Sequence, residues 1–589
     1  MDKSKITKSL AVFASVLLII IIGVASFAYF GTFNVNLVNN VAVNINSSSP
    51  GNATFTSNAT QLNLQVPAAN MSFTVANNTV AAKEDTAFLD VTLTGSQNLL
   101  TTCTYDIVYE YDAGSNVYGQ GTTTKTSGAT KEITIEVNGM NGNNHFATER
   151  NFDHANIQSY YDSTNKYYKL VEGATIKSLG STQSVRWKII GRYYNLNVSQ
   201  AQLGGKNFTG KIYAISKGCS SEDGTTVKKG YETILANNGG ASSMTTLTST
   251  DFATGTTASD KGMYKAQDDL GTSYYFRGAV DNNWVKYGKY TKDTFITADS
   301  NDNYSLVESC DGLELCAKLA SKGDDMYWRI IRINGDNSIR MIYTGTSAPD
   351  NNTKVVMTES INSSGYIRAT SAGMSKFNQN YDNAEYVGYM YTLGQQHGTG
   401  TSSRIKTYLD DWYANYTNLN KTGTKIIDQI FCNDRTASTN SSGIPGEISS
   451  WASTGTAYYY GNYYRVVENY STPMPSLICD NANDKFTTTT AKGNGKLSYP
   501  IGLITADEVN MAGASGNQSY YLYNENSYWA GSPDEFSDDD GAYESIVDID
   551  GHLSGGFVSE SAGVRGVVSL SSESKLLGSG TYNDVYTVN

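Results

Sequence analysis

The chain is 589 residues long and carries 43 Lys and Arg against 56 Asp and Glu, a net charge of −13. That length asks for three or four folding units, and a surface of that sign repels phosphate backbones, which excludes nucleic acid as a partner. Only 17% of the residues are charged, with 55 Gly and 43 Tyr prominent among the rest; Tyr serves both recognition surfaces and half-wet strands.

Lys3, Lys5 and Lys8 lie in a basic segment, residues 1–9, and the run from Leu10 to Phe30 that follows has no charge. This run is long enough to cross a hydrocarbon core as a helix, and the lysines before it keep the N-terminus inside. Residues 10–30 are therefore expected to be a single-pass membrane anchor, with the rest of the chain on the extracytoplasmic face. Secretion after cleavage is the alternative, since Ser26-Phe27-Ala28 offers the small residues a signal peptidase needs. The C-terminal residues show no sortase-type motif or apolar tail, which favours a retained anchor.

Residues 31–83, rich in Asn, Ser and Thr, read as a spacer with some strand character. From 84 to 219 the alternation is that of strands: Cys103, Tyr105, Ile107, Tyr109 and Tyr111 share one face, and Ile133, Ile135 and Val137 repeat the pattern. An antiparallel β-sandwich is expected. The segment Val24-Ala-Ser-Phe-Ala-Tyr-Phe30, with Arg186-Trp-Lys-Ile-Ile-Gly-Arg-Tyr-Tyr-Asn195 and Lys206-Asn-Phe-Thr-Gly-Lys-Ile-Tyr213, resembles the signal ends and closing strands of TasA/camelysin-type matrix proteins.

Residues 220–269 have few large apolar groups and read as a linker with one short helix near Gly230 to Asn237. A new unit, 270–589, opens with strands; Asn334-Gly335 marks a hairpin between Tyr327-Trp-Arg-Ile-Ile-Arg-Ile333 and Ile339-Arg-Met-Ile-Tyr343. Ile405, Tyr408, Leu409, Trp412 and Tyr416 recur at helical spacing behind a Ser. Thr505-Ala-Asp-Glu508 is a capping box, so Glu508 is first a cap and only then a catalytic candidate. Asp550-Gly551, between alternating strands, predicts a type I′ turn.

The order of capped helix, Trp-bearing strand and closing Gly-x-Arg strand, with Thr505, Glu508, Trp529 and Arg565 at the matching positions, resembles the C-type-lectin-like fold of formylglycine-generating-enzyme-type domains. The predicted architecture is thus mainly β with an α+β C-terminal region: transmembrane helix, β-sandwich and C-type-lectin-like domain. The sulfatase-modifying enzymes of that family need two late cysteines, and none follows Cys479 here. The resemblance therefore implies ligand display rather than catalysis, with an extracellular glycan or protein as partner.

Function concentrates on loops carried by a sheet, which points to the stretch from Pro533 to Tyr543 and the hairpin at Asp550. The candidate ligand-binding residues are Trp529, Asp534, Glu535, Phe536, Asp538, Tyr543, Asp550 and His552. Asp538, Asp539 and Asp540 offer oxygen ligands to Ca²⁺, against a solvated acidic loop; no other cofactor is expected. The six cysteines, without Cys-x-x-Cys or a nearby His pair, argue against zinc. Disulfides within each unit are expected, Cys103 with Cys219, Cys310 with Cys316 and Cys432 with Cys479, with buried free thiols as the alternative.

His145, His154, His397 and His552 are scattered, and no His-Glu-x-x-His, Gly-x-Ser-x-Gly or phosphate-binding loop occurs. No enzyme is expected. A fibre or matrix subunit and an extracellular carbohydrate-active enzyme are the competing readings, the latter because paired carboxylates leave no sequence trace.

Overall fold

The computed structural model describes residues 41–46, 52–66, 81–95, 99–112, 118, 127, 131–139, 147–153, 155–194, 196, 200–224, 227–313, 315–349, 358–362, 365–369, 372–421, 423–440, 448, 451–467, 473–514 and 518–589. The segment 1–9 and the membrane helix expected at 10–30 lie outside them; among the described residues no helix is long and apolar enough to cross a bilayer.

The described chain is mainly β. Its first unit packs two antiparallel sheets. One runs in the order Val41–Asn46, Asn52–Ser57, Ala81–Thr94, Thr182–Tyr194, Ile133–Gly139, Ala147–Asn151. The other runs Thr60–Gln65, Asn207–Asp223, Leu99–Tyr111, Tyr167–Leu179, Tyr161–Asp162. Inward residues such as Leu62, Leu64, Leu89, Ile135, Trp187 and Phe208 fill the core, as the two-residue period of a strand requires. Cys103 and Cys219 face each other in adjacent strands and are joined.

The spacer expected at 31–83 is corrected by these sheets: its described residues include three strands that edge them. In Thr60–Gln65 the polar Gln61, Asn63 and Gln65 face outward, while Leu62, Leu64 and, in Asn52–Ser57, Phe55 are buried.

The linker expected at 220–269 is also corrected. Asn207–Asp223 runs past its start, the helix Gly230–Asn237 buries Ile234, a second helix Ser249–Ala253 buries Phe252, and Lys261–Asp268 pairs with Gly271–Gly278. Few apolar residues suffice here because Ile234, Met244 and Met263 all enter the core of the larger unit.

That larger unit is built on two sheets. An eight-stranded sheet contains Lys261–Asp268, Gly271–Gly278, Asp325–Ile333, Trp284–Lys289 and, at the far end of the chain, Tyr586–Val588, which pairs parallel to Trp284–Lys289. A seven-stranded sheet centres on Tyr528–Ser537, Gly541–Val547 and Leu553–Phe557. The helix Arg404–Asp411, capped by the Ser403 hydroxyl accepting from Lys406 N–H, continues as a π-turn over Trp412–Tyr416. Its stripe is core: Trp412 lies 5.0 Å from Tyr343 by ring centroid and donates to the Tyr290 hydroxyl at 3.0 Å. Many tyrosines are spent this way, with Tyr105, Tyr109, Tyr193, Tyr290 and Tyr327 buried.

Two turns differ in detail from their dipeptide signals. The Asn334 hairpin places Asn337, not Gly335, at positive φ (67°). Gly335 is there for room, since a Cβ would collide with the Gly271 backbone nitrogen. In the Asp550 hairpin only Gly551 has positive φ (85°), and Asp548 N–H donates to the His552 carbonyl at 2.9 Å. A type I′ turn needs positive φ at both central residues; both connections are instead three-residue loops ending in a left-handed residue.

Polar contacts tie the units together, among them Gln183 Nε2 donating to the Val588 carbonyl at 3.2 Å. Arg186 of the sandwich pairs with Asp90 at 2.9 Å and reaches Asp324 at 3.5 Å. Lys286 Nζ donates to the Ser184 carbonyl at 2.9 Å. Asn589 Oδ1 accepts from Leu179 N–H and the Ser181 hydroxyl.

Candidate functional site

Two polar regions of the larger unit stand out, and they differ in whether their charges are paired. The first is a cleft enclosing about 580 Å³ of space not filled by atoms, its open mouth included. The capping-box helix Ala506–Ala512 forms one wall. Glu508 caps its own helix and accepts from Arg332 Nε at 2.8 Å and Arg340 Nη2 at 3.2 Å. Burial alone would raise its carboxyl, but Arg340 and Arg332 outweigh that and hold it below the usual range. Arg465 forks onto Asp507 at 2.8 and 3.0 Å and onto Asp434 at 2.8 Å. Asp268 pairs with Arg332 and Asp269 with Lys485, each at 2.7 Å.

Every carboxylate lining this cleft thus has a cation. The Cys432–Cys479 disulfide pins its rim, where Ile478 is exposed. Such a lattice fixes shape and presents hydrogen-bonding edges, with no carboxylate left free as a base. Charged residues inside apolar strands, Arg332 and Arg340, were the signal for it in the sequence.

The second region lies on the hairpin sheet. The expected loop from Pro533 to Tyr543 is instead two paired strands, Tyr528–Ser537 and Gly541–Val547, joined by a tight turn at Asp538, Asp539 and Asp540. Burial sorts the predicted binding residues, since Tyr528–Ser537 carries register shifts and is buried on both faces. Trp529 and Phe536 are buried, the Trp529 indole donating to the Ser375 carbonyl at 2.7 Å. Arg565 is likewise buried, its guanidinium 4.8 Å from the Tyr528 ring centroid.

Asp550 and His552 lie in the other turn of Gly541–Val547, with Asp548 Oδ1 accepting from both of their N–H groups. The two turns sit at opposite ends of a seven-residue strand, roughly 20 Å apart, so the predicted set does not form one site. Asp538 accepts from Gly455 N–H at 2.7 Å and Asp540 N–H is held by the Ser537 hydroxyl. Among the described residues no three His, Cys, Asp or Glu side chains converge as a metal set.

What the hairpin does bring together is Tyr543, Phe557 and Tyr381. Tyr543 and Phe557 are directly opposed across the strands, edge to face at 4.8 Å, and Tyr381 lies 5.1 Å from Phe557 with 47% of its surface exposed. Burial and then the charges of Asp540, Glu535 and Glu560 raise the Tyr543 phenol above its ordinary value.

Beside this platform Gly555, opposite Ser545, makes room for the Asp534 carboxylate: a Cβ there would stand 2.4 Å from Asp534 Oδ2 and 3.6 Å from Tyr543 Cδ1. Asp534 is 3% exposed, and its Oδ1 has no hydrogen-bond partner among the described residues. Burial, with Glu535 adding, pushes its carboxyl up to about 8. Glu544, one residue along the partner strand, is buried with neither oxygen bonded, and it too is raised well above its usual value by burial and by Asp534 against the opposing charge of Arg435. Gly555, Phe557 and Tyr381 were missed from the sequence, because strand register places the first two and a loop contact brings Tyr381 to Phe557.

His397 accompanies Arg435 on Asp484, with Nδ1 2.9 Å from Oδ2, and is remote in role from this platform. No protein-family model matches the chain, and no curated protein or solved structure matches it either.

Proposed function

We propose that this is an extracytoplasmic surface protein, anchored through residues 10–30, that displays a C-type-lectin-like unit for non-enzymatic binding of an extracellular ligand. The observation that carries the reading is the contrast between the two polar regions. The cleft that includes Thr505 and Glu508 is an internally neutralised scaffold, whereas the hairpin surface sets the exposed Tyr381 and the half-buried Tyr543 and Phe557 near buried acceptors without partners.

Three joined cysteine pairs suit an oxidising compartment. Aromatic contact area beside a few fixed polar groups is the usual composition of a recognition surface. Glycan and peptide arrays, screened with the chain in the presence and absence of Ca²⁺, test the reading: a ligand whose binding falls on mutation of Tyr381 or Tyr543 is the expected result. Cytosolic fractionation of the native chain, or robust hydrolase activity, overturns it.

A further inference from the structure

One face of the hairpin sheet carries a row of rings that runs across the strands. Tyr459 is half-buried between the buried Tyr458 and Tyr460, and it lies directly opposite Glu535; opposed residues share a face. Glu535 is likewise half-buried between Asp534 and Phe536, and the register shift between Pro533 and Phe536 leaves it, with Asp534, opposite Tyr543. Tyr543 in turn opposes Phe557. The ends of the row are Tyr381, beyond Phe557, and Tyr463, 4.9 Å from Tyr459 by ring centroid.

The row crosses four adjacent strands, about 15 Å at the spacing of paired strands, and its end rings lengthen it to roughly 25 Å. On one side it is bounded by the Asp538–Asp540 turn, which joins two of these strands. On the other side Asn462 covers the same face, its Nδ2 donating to the Ser545 hydroxyl at 2.5 Å.

Shape and charge choose the occupant. The rings are tilted, by 89° between Tyr543 and Phe557, 48° between Tyr381 and Phe557 and 45° between Tyr459 and Tyr463. They offer slots between faces and edges, not one flat bed for consecutive sugar rings. Asp540, Glu535 and Glu560 lie close enough for their charge to reach the Tyr543 hydroxyl. Aromatic faces beside carboxylates suit the arginine guanidinium, which is flat and weakly hydrated, stacks on rings and forks onto carboxylates; a lysine ammonium is a compact, strongly hydrated point charge.

We propose that this row is the docking surface for an extended, arginine-bearing segment of a partner protein, laid across the four strands with its guanidinium groups against the rings and the carboxylates beside them. The assignment rests on the binding reading above and narrows its partner to a basic peptide. Six extended residues reach about 20 Å, which the row accommodates.

The test is calorimetric titration of the full chain in detergent with acetylated hexaarginine amide, with acetylated hexalysine amide as the control of equal charge. Hexaarginine is expected to bind more tightly, and Tyr381→Ala and Tyr459→Ala, from opposite halves of the row, should each weaken it roughly tenfold. Tyr459→Phe keeps the ring and should bind as the wild type does, as should Asp550→Asn, which removes a charge at the far turn. Equal binding of the two peptides, unchanged in both Ala variants, shows diffuse attraction to an acidic protein and overturns the docking surface. A neutral oligosaccharide whose binding is lost in Tyr381→Ala, with hexaarginine unbound or unaffected by either Ala variant, overturns the peptide partner and leaves the binding reading standing.

Discussion

Replacing Asp534 by Asn is expected to flatten the pH dependence of stability in the C-terminal unit. In the fold the Asp534 carboxyl is raised from 3.8 to about 8. The folded state therefore holds this proton more tightly than the unfolded chain, and the stability it contributes is fully present below about pH 4 and lost as pH rises through 8. At about 1.4 kcal/mol for each pH unit, the whole interval is worth roughly 5–6 kcal/mol, and the stretch from pH 5 to pH 7 roughly 3 kcal/mol. Glu544 acts with the same sign and is coupled to Asp534, with Glu535 adding to the repulsion and Arg435 opposing it. Asp434 and Glu508, held low by their arginines, lose their contribution only on acidification. The assay is urea unfolding at pH 5, 7 and 9 followed by tryptophan fluorescence, since Trp284, Trp328, Trp412, Trp451 and Trp529 all lie in this unit. Wild type should weaken across the series, and Asp534→Asn should weaken less and be the more stable protein at pH 9. Parallel curves for the two proteins would refute the assignment of Asp534 as an unpaired buried acid.

Arg465→Met strands Asp434 and Asp507, both buried, without their shared cation; a loss of about 2–4 kcal/mol in urea unfolding is expected, discounted for the partial exposure of Arg465. Replacing Cys432 and Cys479 together by Ser opens a loop of sequence separation 47, and a loss of roughly 4 kcal/mol should appear in the same measurement. Thr505→Ala removes the hydroxyl that accepts from Glu508 N–H and should cost about 1 kcal/mol, with a matching fall in amide-exchange protection of the first turn. Gly555→Ala introduces no φ strain but puts a Cβ 2.4 Å from Asp534 Oδ2, so the buried carboxylate must shift, and a loss of about 1–3 kcal/mol should appear in urea unfolding while far-UV circular dichroism stays unchanged.

Local chemistry was legible in the sequence where one element decides it alone. The Ser403 cap, the stripe from Ile405 to Tyr416 and the Thr505–Glu508 box all depend on residues a turn apart. The hairpins at Asn334 and Asp550 were legible as reversals, but their loop type was not, because the residue that takes the left-handed conformation is set by strand register. Edge strands such as Thr60–Gln65 read as spacer, since one wet side and a short length leave little apolar signal. The binding surface was half legible: Asp534 and Tyr543 stood out by type, whereas Gly555 and Tyr381 reach them only through β pairing and a contact with a distant loop. Trp529 and Phe536 attracted attention as large aromatics, but the strand that carries them is buried on both faces.

The parallel pairing of Tyr586–Val588 with Trp284–Lys289 sets an order on the life of the chain. The sandwich pairs residues that all precede Gly224, so it can fold while the rest is still being synthesised. The second unit must wait with Val285 and Lys286 as an unfilled sheet edge until nearly its last residues emerge, and closing so long a loop is slow. Products that end before residue 586 keep that edge open, with Tyr327 and Trp328 on the neighbouring strand, and an uncovered edge recruits other strands. The same closing strand leads straight to Asn589, whose side chain is clasped by the sandwich, so pairing of this strand adds a contact between the units to those of Arg186 and Lys286.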